Sequence, residues 1–312
     1  MAMATPGLMD IRPEVAAALT AGRPVVALES TLITHGLPWP VNLETARAAE
    51  AAIRNEGALP ATIAVWQGRP TVGLADAELQ ALAQAKDVLK ASRRDVALAA
   101  FQGRTAATTV SGTMFLAHRA GIRVFATGGI GGAHREPASA WDISTDLREL
   151  AHTPVAVVCA GAKSILDIPR TLEILETHAV PVVGYGTDEF PAFFLRSSHA
   201  PVSARVDTLD QAAAFLATHW RLDGAGVVLA QPVAADVALE QNEFVQALAE
   251  VEKETAQAGV RGPALTPYLL ERLAEKTQGK TLRANQQLIV ANAKLAAQVA
   301  IHLSALVQWG LS

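Results

Sequence analysis

The sequence predicts an α/β fold, a three-layer α/β/α arrangement around a central mixed, largely parallel sheet. Three observations carry that expectation. Short apolar runs rich in Val and Ile alternate with Ala- and Leu-rich stretches, many of those stretches stop at Gly, and the apolar runs read as strands buried on both faces.

Taken in order, Arg12 to Thr20 reads as a helix closed near Gly22, and Pro24 to Leu28 as a buried strand whose end carries Glu29. Asn42 is the predicted cap of a helix running toward Gly57. Ala61 to Trp66 and Thr71 to Leu74, joined through Gly68-Arg69-Pro70, read as a hairpin, which makes the sheet mixed. Asp87 to Lys90 is strand-like. Ser111 to Ala120 reads as a helix stopped by Gly121, and Ile122 to Ala126 as a strand feeding the glycine-rich segment Thr127 to Gly132. Val155 to Cys159 is a further buried strand, followed by Gly161-Ala162-Lys163 and by a helix that the capping-box pattern Ser164 to Asp167 predicts, with Pro169 in its first turns. Pro181 to Val183, Val202 to Val206 and Gly226 to Leu229 are strand candidates, with a helix from Thr208 to Trp220 between the last two. From Ala238 the reading is helical, ending in Ala284 to Val307. No low-complexity linker and no repeat interrupts the chain, so the expectation is one domain over residues 1–312.

Composition narrows the function classes. Half of the 312 residues are hydrophobic and 18% are charged, enough apolar material for a large core. The net charge of −4 argues against a general binder of nucleic acid or membrane surfaces, and leaves a local anion site open. The one cysteine, Cys159, excludes a disulfide framework and a multi-cysteine metal site, which suits a reducing cytoplasm. Neither a signal peptide nor a transmembrane helix is expected, because no uncharged apolar run approaches the ~18–20 residues needed to cross a bilayer.

In such a sheet, ligands gather outside the carboxyl ends of the strands, which singles out polar residues that follow apolar runs. Lys163 is one; lysine is scarce here, seven against nineteen arginines, and a small-residue loop between strand and helix limits its solvation. Desolvation lowers an amine's pKa, and an uncharged lysine can attack a carbonyl carbon, as an ammonium at ~10.4 cannot; taken singly, a surface lysine near a helix start, where the dipole is unfavourable for it, is the plainer reading. Glu29 reads either as a general acid/base or as half of a salt bridge, with Ser30-Thr31 capping a turn. Asp142, Ser144 and Asp146 offer oxygen ligands suited to Mg²⁺ or Mn²⁺, although Ser144 reads equally well as a helix cap. Thr108 to Ser111 offers hydroxyls and amides to an anion, with Lys90, Arg93 and Arg94 as charge partners; plain helix capping is the simpler role for Ser111. Neither GxGxxG nor a P-loop is present, and the eight histidines form no HExxH or close pair.

Several motifs occur in a telling order. They are Leu28-Glu29-Ser30-Thr31 with Thr34-His35-Gly36-Leu37-Pro38, Lys90-Ala91-Ser92-Arg93-Arg94-Asp95, Thr108-Thr109-Val110-Ser111, the run Thr127 to Arg135, and Asp142-Ile143-Ser144-Thr145-Asp146-Leu147. Cys159 to Asp167, Gly184 to Pro191, Thr266-Pro267-Tyr268-Leu269-Leu270, Ala284-Asn285 and Ala291-Asn292-Ala293 complete the series. Together they resemble the signatures of the pseudouridine-5′-phosphate glycosidase family, also called indigoidine synthase A-like, over roughly residues 10 to 305. Trp141 and Pro263 depart from the pattern without touching the chemistry.

The resemblance implies reversible cleavage of the C–C glycosidic bond of pseudouridine 5′-phosphate to uracil and ribose 5-phosphate, with Mn²⁺, by a cytoplasmic homotrimer. It assigns the nucleophile, which forms a Schiff-base-type adduct after ring opening, to Lys163. The proton donor falls on Glu29 and the metal ligand on Asp142. Substrate binding falls on Lys90, Thr109, Val110, Ser144, Thr145, Asp146 and Asn285. Two other readings stay open on the residues alone: a Schiff-base aldolase acting on another sugar phosphate, and a sugar-phosphate-binding protein without turnover.

Overall fold

The computed structural model describes residues 7–135, 142–260 and 265–308. Trp141 and Pro263 lie outside them. The chain opens with β1 (Asp10–Ile11), α1 (Pro13–Thr20), β2 (Val25–Leu28), a π-helical turn (Leu32–Gly36) and α2 (Val41–Asn55). The predicted hairpin follows as β3 (Leu59–Trp66) and β4 (Arg69–Val72), then α3 (Asp76–Gln84), β5 (Leu89–Ala91), α4 (Arg93–Phe101) and β6 (Ala106–Thr108). Next come α5 (Val110–Ala120), β7 (Val124–Ala126), β8 (Ala133–His134), α6 (Thr145–Leu150), β9 (Ala156–Cys159), β10 (Leu166–Asp167) and α7 (Ile168–Thr177). The remainder is β11 (Val182–Tyr185), β12 (Ala204–Val206), α8 (Leu209–Arg221), β13 (Val227–Ala230), α9 (Gln241–Ala258), α10 (Leu265–Lys276) and α11 (Lys280–Gln308).

The main sheet has eleven strands. Its centre, in the order β3-β2-β7-β9-β13-β11-β12, is parallel throughout. The far half of β3 leaves that register to pair antiparallel with β4 on one side and β6 on the other, and β5 adds in parallel to β6. The mixed, largely parallel expectation therefore holds, with the antiparallel wing built on the predicted hairpin. Helices cover both faces of the sheet: α11 crosses β2, β7 and β9 and packs on α2 and α8, while α5 packs on β2 and β3. Strands β2, β7, β9 and β13 are buried along their whole lengths, which is why each is a continuous apolar run. By length and composition α11 is apolar enough to cross a membrane, yet 56% of that apolar window is buried against the rest of the chain, as in a core helix.

Several local expectations are corrected. The N-cap position of α2 is Pro40, and Asn42 sits inside the first turn, where its buried amide donates to the carbonyls of Ile33 (2.7 Å) and Ala83 (2.9 Å). Ser164 opens no helix: its hydroxyl donates to Ala192 O (2.7 Å) and accepts from Phe194 N (3.2 Å), while the short strand β10 intervenes. The cap of α7 is Asp167, which accepts from Arg170 N at 3.0 Å, and Pro169 lies in the first turn as expected. The strand bearing Lys90 runs over Leu89–Ala91, and those predicted at Pro181, Val202 and Gly226 start later, at Val182, Ala204 and Val227.

Candidate active site

The cleft lies where parallel-sheet geometry places it, beyond the carboxyl ends of the strands. Glu29 directly follows β2, Thr127 follows β7, Lys90 sits in β5, Thr109 follows β6, and Lys163 lies just past β9. One compartment, of about 300 Å³, is lined by Glu29, Lys90, Thr109, Val110, Asp142, Ser144, Thr145, Asp146 and Lys163. A smaller one, of about 50 Å³, shares Glu29, Thr31, Lys90, Lys163 and Thr266 with it and adds Asn285, His35, Phe193 and Leu270. Every residue to which the resemblance assigns a role thus lines one continuous cleft, with a polar end toward Asp142 and a more apolar end toward Asn285, whereas Thr108, Ser111 and Arg93 of the expected anion site do not line it.

Glu29 is 6% exposed and accepts a hydrogen bond from the Thr127 hydroxyl. Among the described residues no cation stands within ion-pair distance of it, so the salt-bridge reading does not hold. Burial pushes its carboxyl above the ordinary value, against the pull of the Lys163 charge and of the Thr127 hydrogen bond. Ser30 caps no turn; its hydroxyl donates to Ile63 O (2.7 Å) and accepts from Thr108 N (2.9 Å), tying β2 to β3 and β6.

The two lysines face the same space. Burial pushes the Lys90 amine below its usual value, and the neighbouring Lys163 charge adds to the effect. Lys163 is half-buried in a loop set by Gly161, whose φ of 82° is left-handed and whose missing Cβ leaves room for the Pro191 carbonyl. His35 ties the π-helical turn to the segment that leads into β5. Its Nε2 donates to Val88 O (3.1 Å), which leaves Nδ1 to accept from the Thr34 hydroxyl (2.6 Å). Burial and the Lys90 charge hold that imidazole below its ordinary pKa.

On the polar side Asp146 organises the wall. Its Oδ1 accepts from Ser111 N and its Oδ2 from Gly131 N, both at 2.9 Å, so one buried carboxylate caps α5 and pins the glycine-rich loop. Ser111 therefore does not cap α5. Its hydroxyl bonds those of Thr109 and Thr145, each at 3.1 Å, and Thr109 occupies the N-cap position. Ser144 does cap α6, accepting from Asp146 N at 3.2 Å, and still lines the cleft. Of the expected charge partners, Arg94 reaches the cleft, whereas Arg93 pairs with Glu149 at 3.1 Å.

A model of the family described as indigoidine synthase A-like protein matches residues 14–302. The chain belongs to that family. It is 50% identical over 299 residues to the pseudouridine-5′-phosphate glycosidase of Caldanaerobacter subterraneus subsp. tengcongensis, covering 96% of this chain and 97% of that one. With the protein of the same name from Methylobacterium nodulans the identity is 53%, over 95% and 88% of the two chains. Among solved structures, the prealnumycin C-glycosynthase AlnA in complex with ribulose 5-phosphate superposes with a TM-score of 0.89 at 42% identity, covering 97% and 99% of the chains. An indigoidine synthase A-like protein from Thermotoga maritima gives 0.87 at 35%, over 95% and 97%.

The family fold leaves open whether a metal suits this cleft. Among the described residues no three His, Cys, Asp or Glu side chains cluster as a metal cage. Both Asp146 oxygens are occupied by backbone donors and Asp95 is engaged by Ser92 and Arg94, which leaves Asp142 as the carboxylate of the polar wall without a side-chain partner among the described residues. One carboxylate fits a hard cation of the Mg²⁺ type, which is bound largely by water and substrate oxygens.

Sequence reasoning missed three contributors. Thr127 and His134 line the cleft, and both, like Asn292, stand within the family motifs without an assigned role. Asn292 is buried behind the wall: its amide donates to Thr127 O (2.8 Å) and Gly128 O (3.3 Å), and its Oδ1 accepts from Gln231 (2.9 Å). A lone Asn in an otherwise apolar stretch of α11 is the signal that points to it.

Proposed function

We propose that the protein reversibly cleaves the C–C glycosidic bond of pseudouridine 5′-phosphate, releasing uracil and ribose 5-phosphate. One observation carries the reading: a buried carboxyl, Glu29, shares a single cleft with Lys90 and Lys163 in a chain about 50% identical to proteins bearing that activity in their name. The leaving atom is carbon and has no lone pair to protonate, so paired carboxylates of the ordinary glycosidase type do not suffice. In the proposed route the C1′–O4′ bond breaks with its electron pair going to O4′, which takes a proton, while loss of the uracil N1 proton leaves C1′ doubly bonded to the ring. The uncharged Lys163 amine then adds to C1′ and the ring regains the N1 proton. The electron pair of the C1′–C5 bond then leaves with the uracil ring, which takes a proton at carbon from Glu29. The ribose 5-phosphate imine left on Lys163 is released by water.

Burial of Glu29 supports this role, since a carboxyl held above its ordinary pKa keeps a proton to give. Lys90, the Thr109–Val110 segment, Ser144, Thr145 and the Asp146-organised wall would hold the phosphorylated end, and Asn285 the base. Asp142 would hold Mn²⁺, which when bound supplies positive charge beside the substrate phosphate. A single domain, a trimeric assembly and a cytoplasmic location complete the proposal.

The test is uracil release from pseudouridine 5′-phosphate, with and without Mn²⁺, together with borohydride added during turnover of ribose 5-phosphate and uracil. Uracil release with sugar mass fixed on Lys163 is expected. Release without an adduct removes the imine, and no release removes the reaction. The likeness to a C-glycosynthase favours a second reading, C–C bond formation with another aromatic acceptor; it predicts ribose 5-phosphate consumption that uracil does not stimulate.

A further inference from the structure

A second and larger cleft, of about 1260 Å³, runs along α5 and α6 and meets the active cleft at Arg94 and Thr145, which line both. Its chemistry is lopsided. Arg93, Arg119, Arg123, Arg148 and His118 face it, and among the described residues Glu149 is the one carboxylate that does. That carboxylate is 3% exposed and already engaged by Arg93 and by the Thr153 hydroxyl. Arg119, Arg123 and Arg148 have no carboxylate within ion-pair distance among the described residues.

Aromatic faces, in place of carboxylates, hold the guanidiniums of Arg119 and Arg123, and Arg93 has an aromatic face besides its carboxylate. Arg123 lies 4.2 Å from the centroid of Trp220, and Arg93 and Arg119 flank Phe115 at 4.7 and 5.6 Å. Such contacts orient a guanidinium without neutralising it. Behind the surface of the cleft, Arg123 Nε and His118 Nδ1 are buried and find no hydrogen-bond partner within the described chain. The Arg123 guanidinium thus keeps its charge in the wall of the cleft with no neutralising partner among the described residues. A chain of net charge −4 that concentrates unpaired arginines in one cleft makes a local anion site against its overall field.

We propose that this cleft is a second ligand site, separate from the active cleft, that takes the phosphate group of a small phosphorylated molecule between Arg119, Arg123 and Arg148. A phosphate presents three acceptor oxygens and a double charge, which suits several guanidinium forks better than a single carboxylate does. Nucleic acid fits less well, because the Phe115 and Trp220 faces that bases would stack on are covered by arginine.

The test counts ligands on the full chain by calorimetry, with inorganic phosphate and with ribose 5-phosphate as probes, and needs no turnover. Two phosphate sites per chain are expected for the wild type. In the double variant Arg119→Ser/Arg148→Ser, both changes being at exposed positions, one of the two sites should weaken about tenfold or more. Lys90→Gln should weaken the other. Competition by ribose 5-phosphate at the arginine site identifies a sugar phosphate as its ligand, and its failure to compete identifies the free anion. A single site in the wild type, including one produced by a second copy covering the cleft, overturns the proposal, as do two sites that the double variant leaves unchanged. The count is independent of whether pseudouridine 5′-phosphate is the substrate.

Discussion

Glu29 and Thr127 are the first residues beyond two neighbouring parallel strands, and a hydrogen bond from the Thr127 hydroxyl joins them across the strand ends. The sheet register makes this pair: Leu28 is opposite Ala126, so the next residue of each strand emerges beside the other. The proposed proton donor is thereby buried, oriented and given one neutral donor.

Glu29→Gln keeps the shape and an acceptor for Thr127 but has no acidic proton. Turnover should fall by roughly 10²–10⁴-fold, the usual worth of a positioned general acid, while ribose 5-phosphate binding changes little. A near-normal rate in a uracil-release assay reassigns the donor.

The same burial sets a pH dependence of stability. Folding holds the Glu29 carboxyl above its ordinary 4.5, so the native chain keeps a proton that the unfolded chain gives up. The stability it contributes is complete below 4.5 and is lost as pH rises through the elevated native value. Urea denaturation of the wild type and Glu29→Gln across this range should show the Gln variant gaining relative stability as pH increases. A constant difference contradicts the raised value.

Lys163→Ala removes the proposed nucleophile from a half-buried loop position, so the fold should persist while cleavage disappears. Circular dichroism and the uracil assay report the two separately. Residual activity comparable with wild type takes Lys163 out of covalent chemistry.

Asp146→Asn replaces a carboxylate that accepts from both Ser111 N and Gly131 N with an amide having one acceptor oxygen. One buried backbone N–H is left unpaired, at a cost of about 1–3 kcal/mol. Thermal denaturation should register that loss. KM should also rise, because the α5 start and the glycine-rich loop form the wall of the cleft; an unchanged KM would make the residue purely structural.

Asn292→Leu leaves the Thr127 and Gly128 carbonyls and the Gln231 amide without their partner, which predicts destabilisation by about 1–3 kcal/mol. Thr127 is also the donor to Glu29. The variant should therefore lower kcat more than it raises KM, and equal effects on both would place its influence on binding alone.

The sheet, its mixed character and the strand-end positions of Glu29 and Lys163 were legible because buried parallel strands are continuous apolar runs ended by small residues. Hydrophobic periodicity and Gly stops are local signals, and they located β2, β7 and β9 and the α5 stop at Gly121. The same logic misread Asn42 and Ser164, since a polar residue near a helix start looks like a cap whether it bonds its own helix or a carbonyl elsewhere.

What the sequence determined by itself was therefore the order of elements, the family signatures and the chemically apt residues at strand ends. Tertiary structure alone decided which of them share a cleft, that Asp146 spends both oxygens on backbone donors, that Asn292 braces the loop behind Thr127, and that arginines from α4, α5 and α6 face one groove. The physical reason is reach: these contacts join residues far apart in the chain, and their partners are main-chain groups or surfaces that carry no side-chain signature to read.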